Sequence, residues 1–245
     1  MAVFVFKKMA STNAEAKNPC YAHGDVVVAL EQTAGRGQRG NKWDSEAGKN
    51  LTLSLIWKPE FLVAKEQFLL SEAVALALVD ALATYSIEAT IKWTNDIYVA
   101  DNKICGILIE HDLGAEGKLA RTIVGIGLNI NQSEFAEWVP NPTSIALLTD
   151  KQHNINEVFE RLYDALESRY AQLQNAPEQL QADYHNKLYR LGEKHPYKLP
   201  SGEQFEAVLE GVQPTGELAL RNVADNTVGH YLFKEVEFVI PERGR

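Results

Sequence analysis

The sequence predicts an α+β protein, a main domain in which helices and antiparallel strands are mixed, followed by a small β barrel. Three observations carry this. Over residues 1–190 strand and helix periods alternate without the regular β-α-β order of a doubly wound sheet. From Tyr197 onward the pattern shifts to short β runs separated by Gly, Pro, Asn or Asp. At 245 residues with 45% apolar content, the chain can fill one large core or a large and a small one.

Val3 to Phe6 reads as a first short strand. Thr12-Asn13-Ala14-Glu15 has capping-box spacing, so a short helix is expected there, ending before Pro19. Val26 to Leu30 is an apolar run that leads into a glycine-rich loop. Leu51, Leu53, Leu55 and Trp57 alternate with Thr52, Ser54 and Ile56, the period of a strand. Leu69, Ala73, Leu76, Val79 and Ala83 recur at helical spacing and predict one long helix. Strands are then expected at Ala89–Trp93, Ile97–Ala100, Lys103–Glu110 and Arg121–Asn131, with Asp101-Asn102 as a two-residue hairpin turn. Asn156 is the expected cap of a helix whose face carries Val158, Leu162, Leu166, Tyr170 and Leu173. A second helix follows Pro177, and Gly192 is a reasonable stop. The last strands are expected at Gln204–Leu209, Glu217–Arg221, Thr227–Phe233 and Val236–Ile240, which divides the chain into residues 1–190 and 191–245.

Composition excludes several function classes. A net charge of -9 argues against general nucleic-acid binding, which needs a basic face, but leaves room for a local basic pocket. Two cysteines, Cys20 and Cys105, form no disulfide framework or zinc site, and Cys105 reads as a buried strand residue. The six histidines show no metal-ligand spacing, and no metal site is predicted. The N-terminus lacks a signal-peptide layout, and the longest apolar stretch is interrupted by Glu72 and Asp80, so a cytoplasmic, non-membrane protein is expected.

Three segments carry candidate chemistry. Gly35-Arg36-Gly37-Gln38-Arg39-Gly40 matches G-x-G-x-x-G, but the residues that follow are not an apolar helix, which disfavours a dinucleotide fold. Arg36, Arg39 and Lys42 make this loop basic in an acidic protein. It suits either an anion-covering loop or an exposed hairpin with solvated charges. Lys92-Trp93-Thr94-Asn95-Asp96 ends a strand and is followed by Lys103, which suits a functional strand end or a plain Asn-Asp turn. Gly125-Ile126-Gly127-Leu128-Asn129 is a strand with two glycines on one face, marking close approach of a ligand, a bulge or tight sheet packing.

Taken in order and spacing, these segments together with Ser11-Thr12-Asn13, Gln32, Trp43 and Gly106-Ile107-Leu108 resemble the biotin protein ligase family. The resemblance is strong over residues 1 to about 150 and weaker in the C-terminal β segment. It implies a mixed, mostly antiparallel sheet backed by helices and followed by an SH3-like barrel. It implies ATP-dependent attachment of biotin to a lysine of a biotin carboxyl carrier protein or domain, through biotinyl-5′-AMP, with ATP and Mg²⁺ as a cosubstrate complex. By resemblance, Ser11, Thr12, Asn13, Gln32, Thr33, Gly37, Gln38, Arg39, Lys103 and Gly106 would bind biotin. Arg36, Trp43, Asn95, Asp96 and Asn129 would hold the nucleotide side, with Trp43 on the adenine, while Lys103, Arg36 and Arg39 would carry the catalytic charge. The segment from Arg36 to Arg39 would order over the ligand.

Two residues depart from the family pattern. Gln38 stands where a basic residue is usual, leaving the loop less positive, and Thr94 stands where proline is frequent. The chain begins almost at its first strand, so a single-function ligase without an N-terminal DNA-binding domain is expected, acting as a monomer or homodimer. The competing readings are a lipoate or octanoate ligase or transferase of the same superfamily, and a non-catalytic sensor of biotin or its adenylate.

Overall fold

The computed structural model of the chain describes residues 1–241 and, at Arg39, the backbone alone. Seven strands form the main sheet: β1 (Val3–Phe6), β2 (Val26–Ala29), β3 (Leu51–Trp57), β4 (Thr90–Lys92), β5 (Asp96–Val99), β6 (Asn102–Leu113) and β7 (Leu119–Leu128). Their order is β1-β2-β3-β7-β6-β5-β4, with β1 and β2 parallel and every other neighbour antiparallel. The helices are α1 (Thr12–Glu15), α2 (Phe68–Ala83), α3 (Ile145–Thr149), α4 (Ile155–Asn175) and α5 (Pro177–Asn186). A second, antiparallel sheet runs β11-β10-β9-β8-β12 from β8 (Lys194–Lys198), β9 (Gln204–Val212), β10 (Leu218–Asn222), β11 (Val228–Tyr231) and β12 (Glu237–Phe238). This is the α+β arrangement predicted, with α3 and β8 in addition.

The two faces of the main sheet are specialised by the pleat. Leu51, Leu53, Leu55 and Trp57 of β3, with Val124, Ile126 and Leu128 of β7, join the large core shared with α2 and α4. α2 is apolar nearly all round, as befits a helix in the interior. α4 lies over it with the predicted face of Val158, Leu162, Leu166, Tyr170 and Leu173 buried. The opposite face of the sheet carries Thr52, Ser54, Gly125, Gly127 and Gly106, and there the functional cavity forms.

Several boundaries differ from the expectations. Val99 pairs with Asn102, so the hairpin turn is Ala100-Asp101, one residue earlier than Asp101-Asn102. Ala100 takes the left-handed conformation at φ 49°, while the Asp101 carboxylate is held by the Tyr189 hydroxyl and Arg190. The N-cap position of α1 is Ser11, which makes no side-chain cap bond, and the expected Thr12 capping box does not form, the Thr12 hydroxyl bonding Gln32 instead. The cap of α4 is Asn154, whose Oδ1 accepts from the Asn156 amide at 2.9 Å. The last helix ends before Leu188. Among the described residues no helix is long and apolar enough to cross a membrane.

Candidate functional site

Strand register builds the cavity in two rows. In the first, Thr52 of β3, Gly127 of β7 and Gly106 of β6 stand side by side. In the second, the partners are Ser54, Gly125 and Leu108. Each row has glycine at its centre, so each is a trough in the sheet surface. The Trp43 indole lies in the first trough, where a Cβ at Gly127 would overlap the ring and one at Gly106 would sit 3.0 Å from it. The Asn13 amide lies in the second, where a Cβ at Gly125 would overlap its oxygen. The glycine pair thus accommodates two side chains of this chain, an outcome outside the three readings of ligand approach, bulge or tight sheet packing.

The second trough is the polar end of a cavity of about 240 Å³. α1 brings Ser11, Thr12 and Asn13 onto the sheet, all three buried. Ser54 Oγ lies 2.8 Å from Thr12 Oγ1 and 2.6 Å from Asn13 Oδ1. Gln32 Oε1 accepts from the Thr12 amide at 2.7 Å, and Asn13 Nδ2 donates to the Leu108 carbonyl and to Glu110. Burial alone would raise the Glu110 carboxyl, but hydrogen bonds from Lys17 and Asn13, with the charges of Lys17 and Arg36, hold it below its usual value. Neither Ser54 nor Glu110 is among the site residues that the sequence points to. For Ser54 a signal is nonetheless present: Thr52 and Ser54 are two hydroxyls at strand spacing in an otherwise apolar run.

The other end is cationic and aromatic. Lys103 Nζ is 2.7 Å from Asp96 and 5.8 Å from the Trp43 ring centroid. The Lys103 backbone is pinned on both sides by Asn141 and Thr143, which fixes where its side chain starts. Lys92 also lines the cavity, lying over the rings of Tyr98 and Phe238, and burial pushes its ammonium below the usual range. Asn95 lines the cavity too, but its amide donates to the Ile107 carbonyl at 2.6 Å and its oxygen accepts from Thr94. Asn129 does not line this cavity. It borders a larger adjoining one of about 990 Å³, where its amide bonds the Thr143 carbonyl and its Oδ1 is buried without a partner. The Trp43 Nε1 is likewise buried and unpaired. Such groups are costly to leave unmet and suit a ligand's polar atoms.

The glycine loop is a hairpin over the cavity. Arg36 and Lys42 pair across it, and Trp43 returns a bond to the Gly35 carbonyl at 3.1 Å. Arg36, Gly37 and Gln38 line the cavity, and Arg36 reaches Glu110 at 3.4 Å. The Arg39 side chain lies outside the described residues. Thr33 is exposed on the outer side of the loop, its hydroxyl aimed at the Met9 carbonyl, and it borders an outer cavity with Glu110 and Trp138 instead. Thus most expected residues meet in one place, while Thr33 and Asn129 lie outside it, each bordering a different neighbouring cavity.

Comparison with known proteins agrees with this geometry. Residues 4–129 match the model of the biotin/lipoate A/B protein ligase family. A biotin–[acetyl-CoA-carboxylase] ligase of Mycobacterium tuberculosis is 31% identical over 232 residues, covering 91% of this chain and 84% of that protein. One from Paracoccus denitrificans is 33% identical, covering 89% and 93%. The bifunctional ligase/repressor BirA of Escherichia coli is 37% identical over 125 residues, which are 51% of this chain and 38% of that protein. In fold, the chain is similar to the biotin protein ligase of Aquifex aeolicus in complex with biotin and ATP, with a TM-score of 0.81, 24% identity and coverage of 98% and 99%. The chain therefore belongs to the biotin/lipoate A/B protein ligase family and, within it, stands with the biotin protein ligases.

Proposed function

We propose that this chain uses ATP to activate the biotin carboxyl group and then transfers the acyl group to a lysine of a biotin carboxyl carrier protein or domain. The observation that carries this is one cavity with two unlike ends: a neutral hydrogen-bonding end at Thr12, Asn13 and Gln32, held from beneath by Ser54, and a cationic, aromatic end at Lys103 and Trp43. A neutral polar ring system fits the first, and a carboxylate meeting a phosphate fits the second.

In the first step a biotin carboxylate oxygen attacks the α-phosphorus of ATP. The bond to the β-phosphate oxygen breaks, giving a mixed anhydride and pyrophosphate. Both reactants are anions, so the barrier contains charge repulsion. Lys103 lies where it can neutralise both, and Asp96 holds its ammonium at the cavity wall. Such a group is worth roughly 10²–10³ in rate. Magnesium carried in by ATP would lower the phosphate charge further. Asp96 is the carboxylate lining the cavity among the described residues, and no group of three metal-ligating side chains occurs among them, so the donor set suits a cation brought by the nucleotide. In the second step the carrier amine attacks the acyl carbon and AMP leaves. Arg36 at the loop, the Trp43 Nε1 and the Asn129 Oδ1 are the groups we assign to the nucleotide side, and the hairpin screens the anhydride from water.

The test is ATP-dependent pyrophosphate release by the full chain with biotin, lipoate or octanoate as the acid. Release with biotin alone is expected. Release with lipoate or octanoate alone would transfer the assignment to the sister activity, and release with none of them would make the cavity a binding site only.

A further inference from the structure

The nine residues from Gly35 to Trp43 close a hairpin through their own backbone, with Gly37 donating to the Asn41 carbonyl at 2.7 Å. Those bonds give the loop its shape. They do not fix its position over the cavity, which depends on side chains that reach the sheet. At the base, the Trp43 indole is seated in the glycine trough. On the incoming arm, Arg36 meets Glu110 at 3.4 Å, a long ion pair whose arginine side chain is 47% exposed and which therefore holds weakly. At the tip, Gln38 Oε1 accepts a hydrogen bond from Thr94 Oγ1 at 3.2 Å. Thr94 belongs to the turn between β4 and β5, two residues before Asp96, the ion-pair partner of Lys103.

The Thr94 hydroxyl has a second acceptor, Asn95 Oδ1 at 3.1 Å. Asn95 is itself held in place by its bond to the Ile107 carbonyl. One hydroxyl carries one proton, so Thr94 can serve Gln38 or Asn95. If Gln38 swings away, the proton passes to Asn95 and no donor is stranded. Opening then costs about the net worth of one neutral hydrogen bond, without the added penalty of a stranded donor. Both partners are uncharged, so the contact is indifferent to salt and to pH near neutrality. Gln38 and Thr94 are 56 residues apart in the chain and meet only at the loop tip.

We propose that Thr94 and Gln38 form an uncharged latch that holds the loop tip over the cavity, and that Thr94 is thereby a positioning residue for retention of the acyl-adenylate. Thr94 itself is not part of the cavity wall. The retention half of this proposal rests on the function proposed above; the latch does not.

A double-mutant cycle in the full chain tests both halves separately. The variants are Thr94→Val, Thr94→Ser, Gln38→Ala and the Thr94→Val/Gln38→Ala double. The first readout is the rate of limited tryptic cleavage within the loop, at Arg36, Arg39 and Lys42, which needs no activity. The second is the rate at which labelled biotinyl-AMP leaves the protein. One neutral hydrogen bond predicts that Thr94→Val and Gln38→Ala each raise both rates about 3- to 10-fold. The double variant should match the larger single effect, Thr94→Ser should stay at the parental rate because it keeps the hydroxyl, and added salt should leave the ratios unchanged. Additive effects in the double variant, or Thr94→Ser behaving like Thr94→Val, would overturn the latch. Coupled cleavage with uncoupled adenylate release would overturn the retention role alone. A chain that forms no biotinyl-AMP fails the function proposal, while the cleavage cycle still decides the latch.

Discussion

Gly125 and Gly127 are two residues apart on one face of β7 yet limit opposite ends of the cavity, since Asn13 lies on the first and Trp43 on the second. Alanine at either position needs no unusual backbone, because neither glycine has a positive φ, so its effect is the displacement of what lies above. Gly125→Ala should raise the KM for biotin and Gly127→Ala the KM for ATP, with losses in kcat/KM on the order of 10²-fold for a shift near 1 Å. Measuring both constants in both variants checks the assignment, and a common effect on one substrate would refute the division into two ends. Lys103→Ala should slow pyrophosphate formation by roughly 10²–10³. Transfer from supplied biotinyl-AMP to the carrier should fall much less, because the charge repulsion that Lys103 relieves belongs to the first step. Single-turnover measurement of each half-reaction separates these outcomes.

At the scale of the element, α2 contains a conspicuous exception to its apolar surface. Glu72 is 3% exposed, and burial pushes its carboxyl up to about 8. Its Oε2 has no partner, and neither does the hydroxyl of nearby Tyr184 in α5. The folded state therefore keeps a proton that the unfolded chain releases near pH 4.5. By proton linkage, the stability associated with this carboxyl is fully present below about pH 4.5, declines as pH rises, and is lost once pH passes about 8. Glu72→Gln keeps the shape and cannot ionise. Its advantage over the parent should be small at pH 5 and grow to a few kcal/mol at pH 9, because each tenfold difference in proton affinity between folded and unfolded chain corresponds to about 1.4 kcal/mol. Thermal melts of both proteins at the two pH values read this directly, and a gap that narrows with pH would contradict it.

For the whole molecule, the second sheet is tied to the first close to the site. Trp93 Nε1, next to Thr94 in the β4–β5 turn, donates to the Gly216 carbonyl at 2.8 Å. Gly216 itself, at φ +94°, fits against the Phe68 ring of α2, and a Cβ there would stand 2.7 Å from that ring. Arg190 adds a bond to the Val239 carbonyl at 3.1 Å. Trp93→Phe keeps an aromatic ring but gives up part of the indole's buried volume and leaves the Gly216 carbonyl unpaired, and the unpaired carbonyl alone should cost about 1–3 kcal/mol. Urea unfolding followed by far-UV signal measures that cost. Because Trp93 adjoins the turn that carries Asp96, turnover should fall as well. A variant that lost stability with full turnover would show that the joint and the site are independent.

The sequence by itself determined the fold class, the long helices and the burial of the Val158-to-Leu173 face, because periodic apolar patterns act locally and repeat over many residues. Spacing and family resemblance also pointed to the segments that the fold brings together around one cavity. Only the tertiary structure decided what the two glycines of β7 accommodate, because that depends on Asn13 and Trp43, which are remote from them in the chain. It likewise set Ser54 and Glu110 in hydrogen bonds to Asn13, left Thr33 outside the cavity, and placed the β5–β6 turn one residue earlier, at Ala100-Asp101. The contact between Gln38 and Thr94, 56 residues apart, is of the same kind. Each is fixed by strand register and loop packing, and a single chain read along its length carries no direct record of which distant residue will lie across from it.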